Sequence, residues 1–320
     1  MFDRLRARTN GFTVTPRQYA RIAVFALAVL ILIVLSGAAV RLTASGLGCP
    51  DWPRCYGRAY PPLNTHSMIE FGNRVFSGFV TIAVLAAAIG AMRRRPYRRD
   101  IAVWAWLLPL GAFTQAALGA YTVESELAYG WVMAHFTLSM VMMIAAVTLV
   151  WKASREPGRR EPGGDNLSVW AVRTLVPLTF LTILSGVTAT AAGPHAGGEP
   201  GQVDRFEPKG GYSLEWIVER HGRLADVLGI LAVVVWIVLW RRSAPRALRI
   251  SATIFAILIG LQGLIGSIQW QLELPAELVW LHVVLATFSW VAALWMMMIA
   301  GVPRTDRAVA RDPAPLDSAA

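Results

Sequence analysis

The sequence predicts an all-α, polytopic membrane protein: eight transmembrane helices laid out as two tandem, pseudo-symmetric four-helix bundles. Three observations lead there. Of the 320 residues, 55% are hydrophobic and only 16% are charged, against about a quarter charged in an ordinary soluble domain. The charges fall between long apolar runs, each close to the roughly 20 residues that cross a bilayer. The chain also repeats itself, Gln115-Ala116-Ala117-Leu118-Gly119 returning as Gln262-Gly263-Leu264-Ile265-Gly266 at an offset of 147 residues. Backbone amides in lipid find no water, so the apolar runs must be helices.

The first run, 19–40, follows Arg4, Arg6, Arg8, Arg17 and Arg21. A basic lead before an apolar run mimics a signal peptide, but Arg41 follows it where a small-residue cleavage site would stand. Within it Leu35-Ser36-Gly37 has a partner at Leu184-Ser185-Gly186, so it is read as a retained helix. The second run, 70–92, leads into Arg93, Arg94, Arg95, Arg98 and Arg99. Runs 101–122 and 129–151 are joined by a loop with glutamates and no Lys or Arg. The segment 152–168 holds Lys152, Arg155, Arg159 and Arg160 among prolines and glycines, the composition of a flexible connection. Runs 169–191 and 215–240 begin the second half, followed by Arg241, Arg242, Arg246 and Arg249, then runs 248–270 and 277–301.

Basic loops therefore alternate with loops free of them, which by the positive-inside rule places both termini in the cytoplasm. The net charge of +10 is a topology signal on a bilayer protein and implies no nucleic acid. The expected organisation is an N-terminal bundle over 1–151, a cytoplasmic linker over 152–168 and a C-terminal bundle over 169–301. A disordered cytoplasmic tail is expected over 302–320. Two outward loops, 42–69 and 192–214, are long enough to act as lids.

Chemistry follows the repeat. Twenty residues beyond each glutamine of the repeated motif stands a histidine, His135 and His282, and eleven beyond stands a Glu-Leu pair, Glu126-Leu127 and Glu273-Leu274. His221 enters the sixth helix at a depth similar to that of His282. Two imidazoles facing one another across a bundle can ligate a haem iron on both faces, while a lone histidine in a membrane helix can simply bond a neighbouring helix. Metal-ligating candidates are thus His135, His221 and His282. The first half differs: Asn73 occupies the position of His221, at an offset of 148.

His66, seven residues earlier, either swings in or is a plain loop residue. Glu70 lies at the mouth of the second helix, three residues before Asn73, as a proton-relaying carboxylate or an interfacial helix-starting one. Arg74, Arg220 and Arg223 either bind porphyrin propionates or reach lipid headgroups. Cys49 and Cys55 are the two cysteines, expected to pair as a structural or a redox-active disulfide outside the cytoplasm.

Four segments resemble the haem A synthases of bacteria and mitochondria. They are Gly37-Ala38-Ala39-Val40-Arg41-Leu42 continuing to Cys49-Pro50-Asp51-Trp52-Pro53, Ile69-Glu70-Phe71-Gly72-Asn73-Arg74, Gln115 to Val123 running on to His135-Phe136, and Gly193-Pro194-His195-Ala196-Gly197. The resemblance covers all eight helices. It implies oxidation of the C8 methyl group of haem O to a formyl group, giving haem A for terminal oxidases at the cell membrane. It further implies haem b held by His221 and His282 in the second bundle, haem O received at His135 in the first, and Glu70 as the catalytic carboxylate. Cys49 and Cys55 match the family's outer-loop pair. The expected partners are haem O and its synthase, and an electron donor that the sequence does not identify.

Two departures from the family stand out. Asn73 replaces the usual histidine, and the second outer loop lacks cysteines. His135 is therefore expected to be the sole strong ligand of haem O, with the Asn73 amide steering a water or oxygen species opposite. Two other readings compete: a b-type cytochrome passing electrons from quinol or thiol, and a haem carrier without chemistry. The cytochrome would benefit from paired ligands in both bundles, which Asn73 breaks.

Overall fold

A computed structural model describes residues 12–157, 164–199, 201–207 and 210–303. Among these residues all regular structure is helical. The helices are α1 (Pro16–Leu42), α2 (Thr65–Arg93), α3 (Arg99–Glu124), α4 (Tyr129–Ala153), α5 (Asn166–Ala192), α6 (Leu214–Arg241), α7 (Arg246–Gln271) and α8 (Ala276–Ala300). All eight are long and apolar enough to cross a membrane. The shortest have 25 residues, so at about 1.5 Å per residue each exceeds the roughly 30 Å hydrocarbon layer. The chain is a multi-pass membrane protein.

The helices start where small polar side chains can receive backbone N–H groups. Thr15 and Gln18 form a capping box ahead of Pro16, and Asn64, Asp165 and Ser213 cap α2, α5 and α6. These polar first turns extend the helices past the apolar runs that mark them in the sequence. The consequence is largest for α2, which starts at Thr65, so Glu70 lies more than a turn inside the helix and not at its mouth. The Glu-Leu pairs become the turns α3–α4 and α7–α8. All four residues take left-handed backbone angles, and Leu127 and Leu274 donate N–H bonds to Thr122 and Gln269 carbonyls.

Each half closes into a ring. Consecutive helices pack side by side, α1 returns to α4, and α5 returns to α8. The two rings meet through α1 with α8, α4 with α8, and α4 with α5. A pseudo-twofold that swaps the halves therefore runs where α4 and α8 touch. Trp290 on α8 is fully buried there and donates its indole N–H to the Met140 carbonyl of α4 at 2.8 Å. Toward the basic end both central helices are closely packed, through Met143, Val147 and Leu149 on α4 and Ala293, Leu294 and Met296 on α8. Around the histidines packing loosens: residues 132–139 and 281–286 are all half-buried.

The long loops and the Cys49–Cys55 disulfide lie at the other end, called here the loop end. It is sewn across the halves. Arg41 at the end of α1 donates to the His195 and Thr190 carbonyls at 2.8 Å each, and Gly46 N–H donates to the Gly197 carbonyl at 2.8 Å; within the second half His195 Nε2 meets the Leu274 carbonyl at 2.7 Å. At the basic end Asp165 pairs with Arg242, whose guanidinium holds the carboxyl down at about 2. The expected disordered tail and the middle of the expected linker lie outside the described residues, except Val302 and Pro303.

Candidate functional site: two repeated imidazole pockets

His221 on α6 and His282 on α8 meet across the centre of the second bundle, their ring centres 6.2 Å apart and their planes at 80°. Two metal–imidazole bonds of about 2 Å, with about 1.1 Å from each nitrogen to its ring centre, span about 6.3 Å. The pair is thus spaced for one metal between them. Ser185 on α5 fixes the first ring: its hydroxyl donates to the Thr182 carbonyl at 2.7 Å and lies 2.8 Å from His221 Nδ1. With Nδ1 held against this hydroxyl, Nε2 is the ring nitrogen left to ligate a metal. His282 Nδ1 is buried without a partner among the described residues.

Glycines admit both rings. A Cβ on Gly186 would stand 3.0 Å from His221 Cε1, and one on Gly266 would stand 3.2 Å from His282 Cε1. Among the described residues no three His, Cys, Asp or Glu side chains converge to hold a bare metal ion. Two imidazoles suffice for an iron whose remaining four positions belong to a macrocycle, so the residues present fit a haem.

The first bundle copies these fittings around one imidazole. His135 on α4 lies beside Gly119, whose added Cβ would be 3.6 Å from the ring, and its Nδ1 is again buried and unpartnered. Gln115 donates to the His135 carbonyl at 3.0 Å and to Ser139 Oγ at 2.6 Å, pinning α3 to α4 at the turn that carries His135. In the first half the Gln-x-x-x-Gly motif thus pairs a clearance for the ring with a clamp near it; in the second, Gly266 keeps the clearance, while Gln262 Oε1 is buried without a partner among the described residues. Ser36, the counterpart of Ser185, lies 2.8 Å from Asn73 Oδ1.

Glu70 does not stand free. It is buried, one oxygen accepts the Cys49 N–H at 2.7 Å, and the other pairs with Arg74. Arg74 also donates to the carbonyls of Asp51 (2.7 Å), Arg54 (2.8 Å) and Cys49 (3.0 Å), and Ser67 Oγ donates to the Gly48 carbonyl. Ser67, Glu70 and Arg74 follow i, i+3, i+7 spacing, so one face of α2 grips the disulfide loop. Only glycine fits at 48, where a Cβ would run into the backbone of His66 and Ser67.

His66 belongs to the first turn of α2, bonded to Ser45 Oγ at 3.0 Å, and stands about 10 Å along the helix from Asn73. Arg74 is occupied by loop carbonyls. Arg220 and Arg223 pair with Glu219, and Arg220 stacks on Trp216 at 3.7 Å. Sequence reasoning missed that Ser36 and Ser185 hold Asn73 and His221, although the repeated Leu-Ser-Gly was the available signal. It also missed the bridging by Arg41, His195 and Trp290, which no local pattern marks.

The model of the family described as "Cytochrome oxidase assembly protein" (COX15-CtaA) matches residues 20–68 and 64–211, a span that includes Cys49, Glu70, Asn73 and His135 and stops short of His221. A Thermus thermophilus protein named protoheme IX farnesyltransferase is 28% identical over 300 residues, 88% of this chain and 48% of that protein. A heme A synthase of Bacillus pumilus is 35% identical over 133 residues, 40% of this chain and 43% of that protein. One from Halalkalibacterium halodurans is 31% identical over 135 residues, 42% of this chain and 45% of that protein. The chain spans about half the length of the curated relatives it matches.

Proposed function

The chain belongs to the cytochrome oxidase assembly protein family, COX15-CtaA, and from that membership we propose that it is a haem A synthase. It oxidises the C8 methyl group of haem O to a formyl group, in the cell membrane and with both termini cytoplasmic. The observation that carries the reading is the pairing of His221 with His282 at 6.2 Å, beside a like-built bundle that keeps one imidazole. The bundle 169–301 holds haem b through His221 and His282, and the bundle 1–151 receives haem O at His135. When bound, haem b supplies reversible one-electron transfer.

This chain's residues do the positioning. Ser185 holds His221 at Nδ1, and Gln115 fixes the turn that carries His135. Glu70 is the carboxylate we assign to proton handling at the first site, its oxygens held by Cys49 N–H and Arg74. The disulfide loop is bonded over that end of α2. Haem O is the product of farnesyl transfer to protohaem, the activity named for the Thermus relative, so an enzyme of that class supplies the substrate.

The test is co-expression with a haem O-forming enzyme, followed by extraction of pigments from the membrane. Haem A is expected with the intact chain and is expected to vanish on His135→Ala or Glu70→Ala. Haem b retained with no haem A in the intact chain would replace this reading with that of an electron-relaying cytochrome.

A further inference from the structure

The two halves share one corner that they furnish differently. In the second half Ser185, Gly186 and His221 form it: the hydroxyl holds the ring at Nδ1, and the glycine leaves the ring its space. In the first half Ser36, Gly37 and Asn73 stand at the repeat-equivalent positions. Ser36 holds Asn73 at 2.8 Å, as Ser185 holds His221. A Cβ on Gly37, however, would meet nothing within 4 Å, whereas one on Gly186 would press on the ring at 3.0 Å. The clearance that admits an imidazole is kept where only a carboxamide stands. Glycine inside a helix gives up more backbone freedom than alanine, and a Cβ at 37 would meet no neighbouring group within 4 Å that requires it. A carboxamide is neutral and a poor iron ligand, but it offers hydrogen bonds.

We propose that the first bundle grips its porphyrin iron through His135 alone, and that Ser36, Gly37 and Asn73 form a pocket on the opposite face for a small neutral ligand of diatomic size. The inference rests on the reading of that bundle as a haem site and defines what the site admits. Whether an iron is saturated or open is decided by its second axial partner, and pocket polarity decides how a gas ligand is held. The Ser36–Asn73 pair supplies that polarity. His66 is tied to Ser45 two turns away and leaves the face open.

The experiment uses the full-length protein purified in detergent with its haems, reduced and exposed to carbon monoxide. The expected result is that about half of the bound haem shifts its absorption and half stays low-spin. His135→Ala removes the shifting half and leaves the low-spin signal of His221 and His282. Asn73→His converts the shifting half into a second low-spin component, lowering the carbon monoxide-reactive share at least fivefold, while Asn73→Leu keeps it reactive. Gly37→Leu slows carbon monoxide binding without changing haem content.

Two haems per chain with no reactive share in the unaltered protein would overturn the proposal by showing an internal sixth ligand. One haem per chain, insensitive to His135→Ala, would overturn the haem reading of the first bundle and this inference with it. The measurement on the unaltered protein decides even where Asn73→His fails to fold.

Discussion

The histidines of this chain are seated by glycines, and the margins differ among them. At Gly186 and Gly266 an added methyl falls at 3.0 and 3.2 Å from a ring carbon, tighter than ordinary contact, whereas at Gly119 it falls at 3.6 Å. Gly186→Ala and Gly266→Ala are therefore expected to displace a histidine ring and, on the proposed reading, to lower haem retention in the second bundle severalfold. Gly119→Ala should leave retention at His135 unchanged. Pigment-to-protein ratios of the purified variants check the ordering. The sequence revealed the Gln-x-x-x-Gly repeat and the histidines that follow it, because counting along the chain needs no coordinates. It did not reveal that glycine and ring touch, or that Ser36 holds Asn73, since those contacts cross between helices.

α2 carries two tasks on neighbouring faces, Asn73 facing Ser36 and the trio Ser67, Glu70 and Arg74 facing the disulfide loop. Arg74 is 15% and Glu70 6% exposed, so removing one partner strands the other. Breaking such a buried pair costs about 3–5 kcal/mol, while removing both charges costs far less. Arg74→Ala is thus expected to destabilise the protein more than Glu70→Gln combined with Arg74→Ala, as read by thermal unfolding in detergent. Limited proteolysis should show the 49–55 loop released in both. Glu70 was legible as a candidate but misplaced at the helix mouth. Apolar runs are visible to counting, whereas the polar turn that Asn64 caps belongs to the helix without looking apolar.

The whole molecule is two rings meeting at α4 and α8. Eight spans, their pairing into halves and the repeat were all readable, because lipid imposes length and apolarity on every helix. The interface between halves was not, because a face against lipid and one against another apolar helix have the same composition. Trp290 marks that interface. Trp290→Phe should cost about 1 kcal/mol, the usual worth of one hydrogen bond between membrane helices, and Trp290→Ala about 3–5 kcal/mol through the cavity it leaves. Denaturant titration of the folded protein in mixed micelles checks both.

That α4 packs against α8 sets an order on the making of the molecule. The helix that bears His135 reaches the bilayer before α8, and its flank around Met140 stays uncovered until α8 leaves the ribosome. Nascent chains halted before Trp290 would hold every residue of the first pocket and still lack the wall that steadies it, so that pocket is expected to be completed only once α8 is in place.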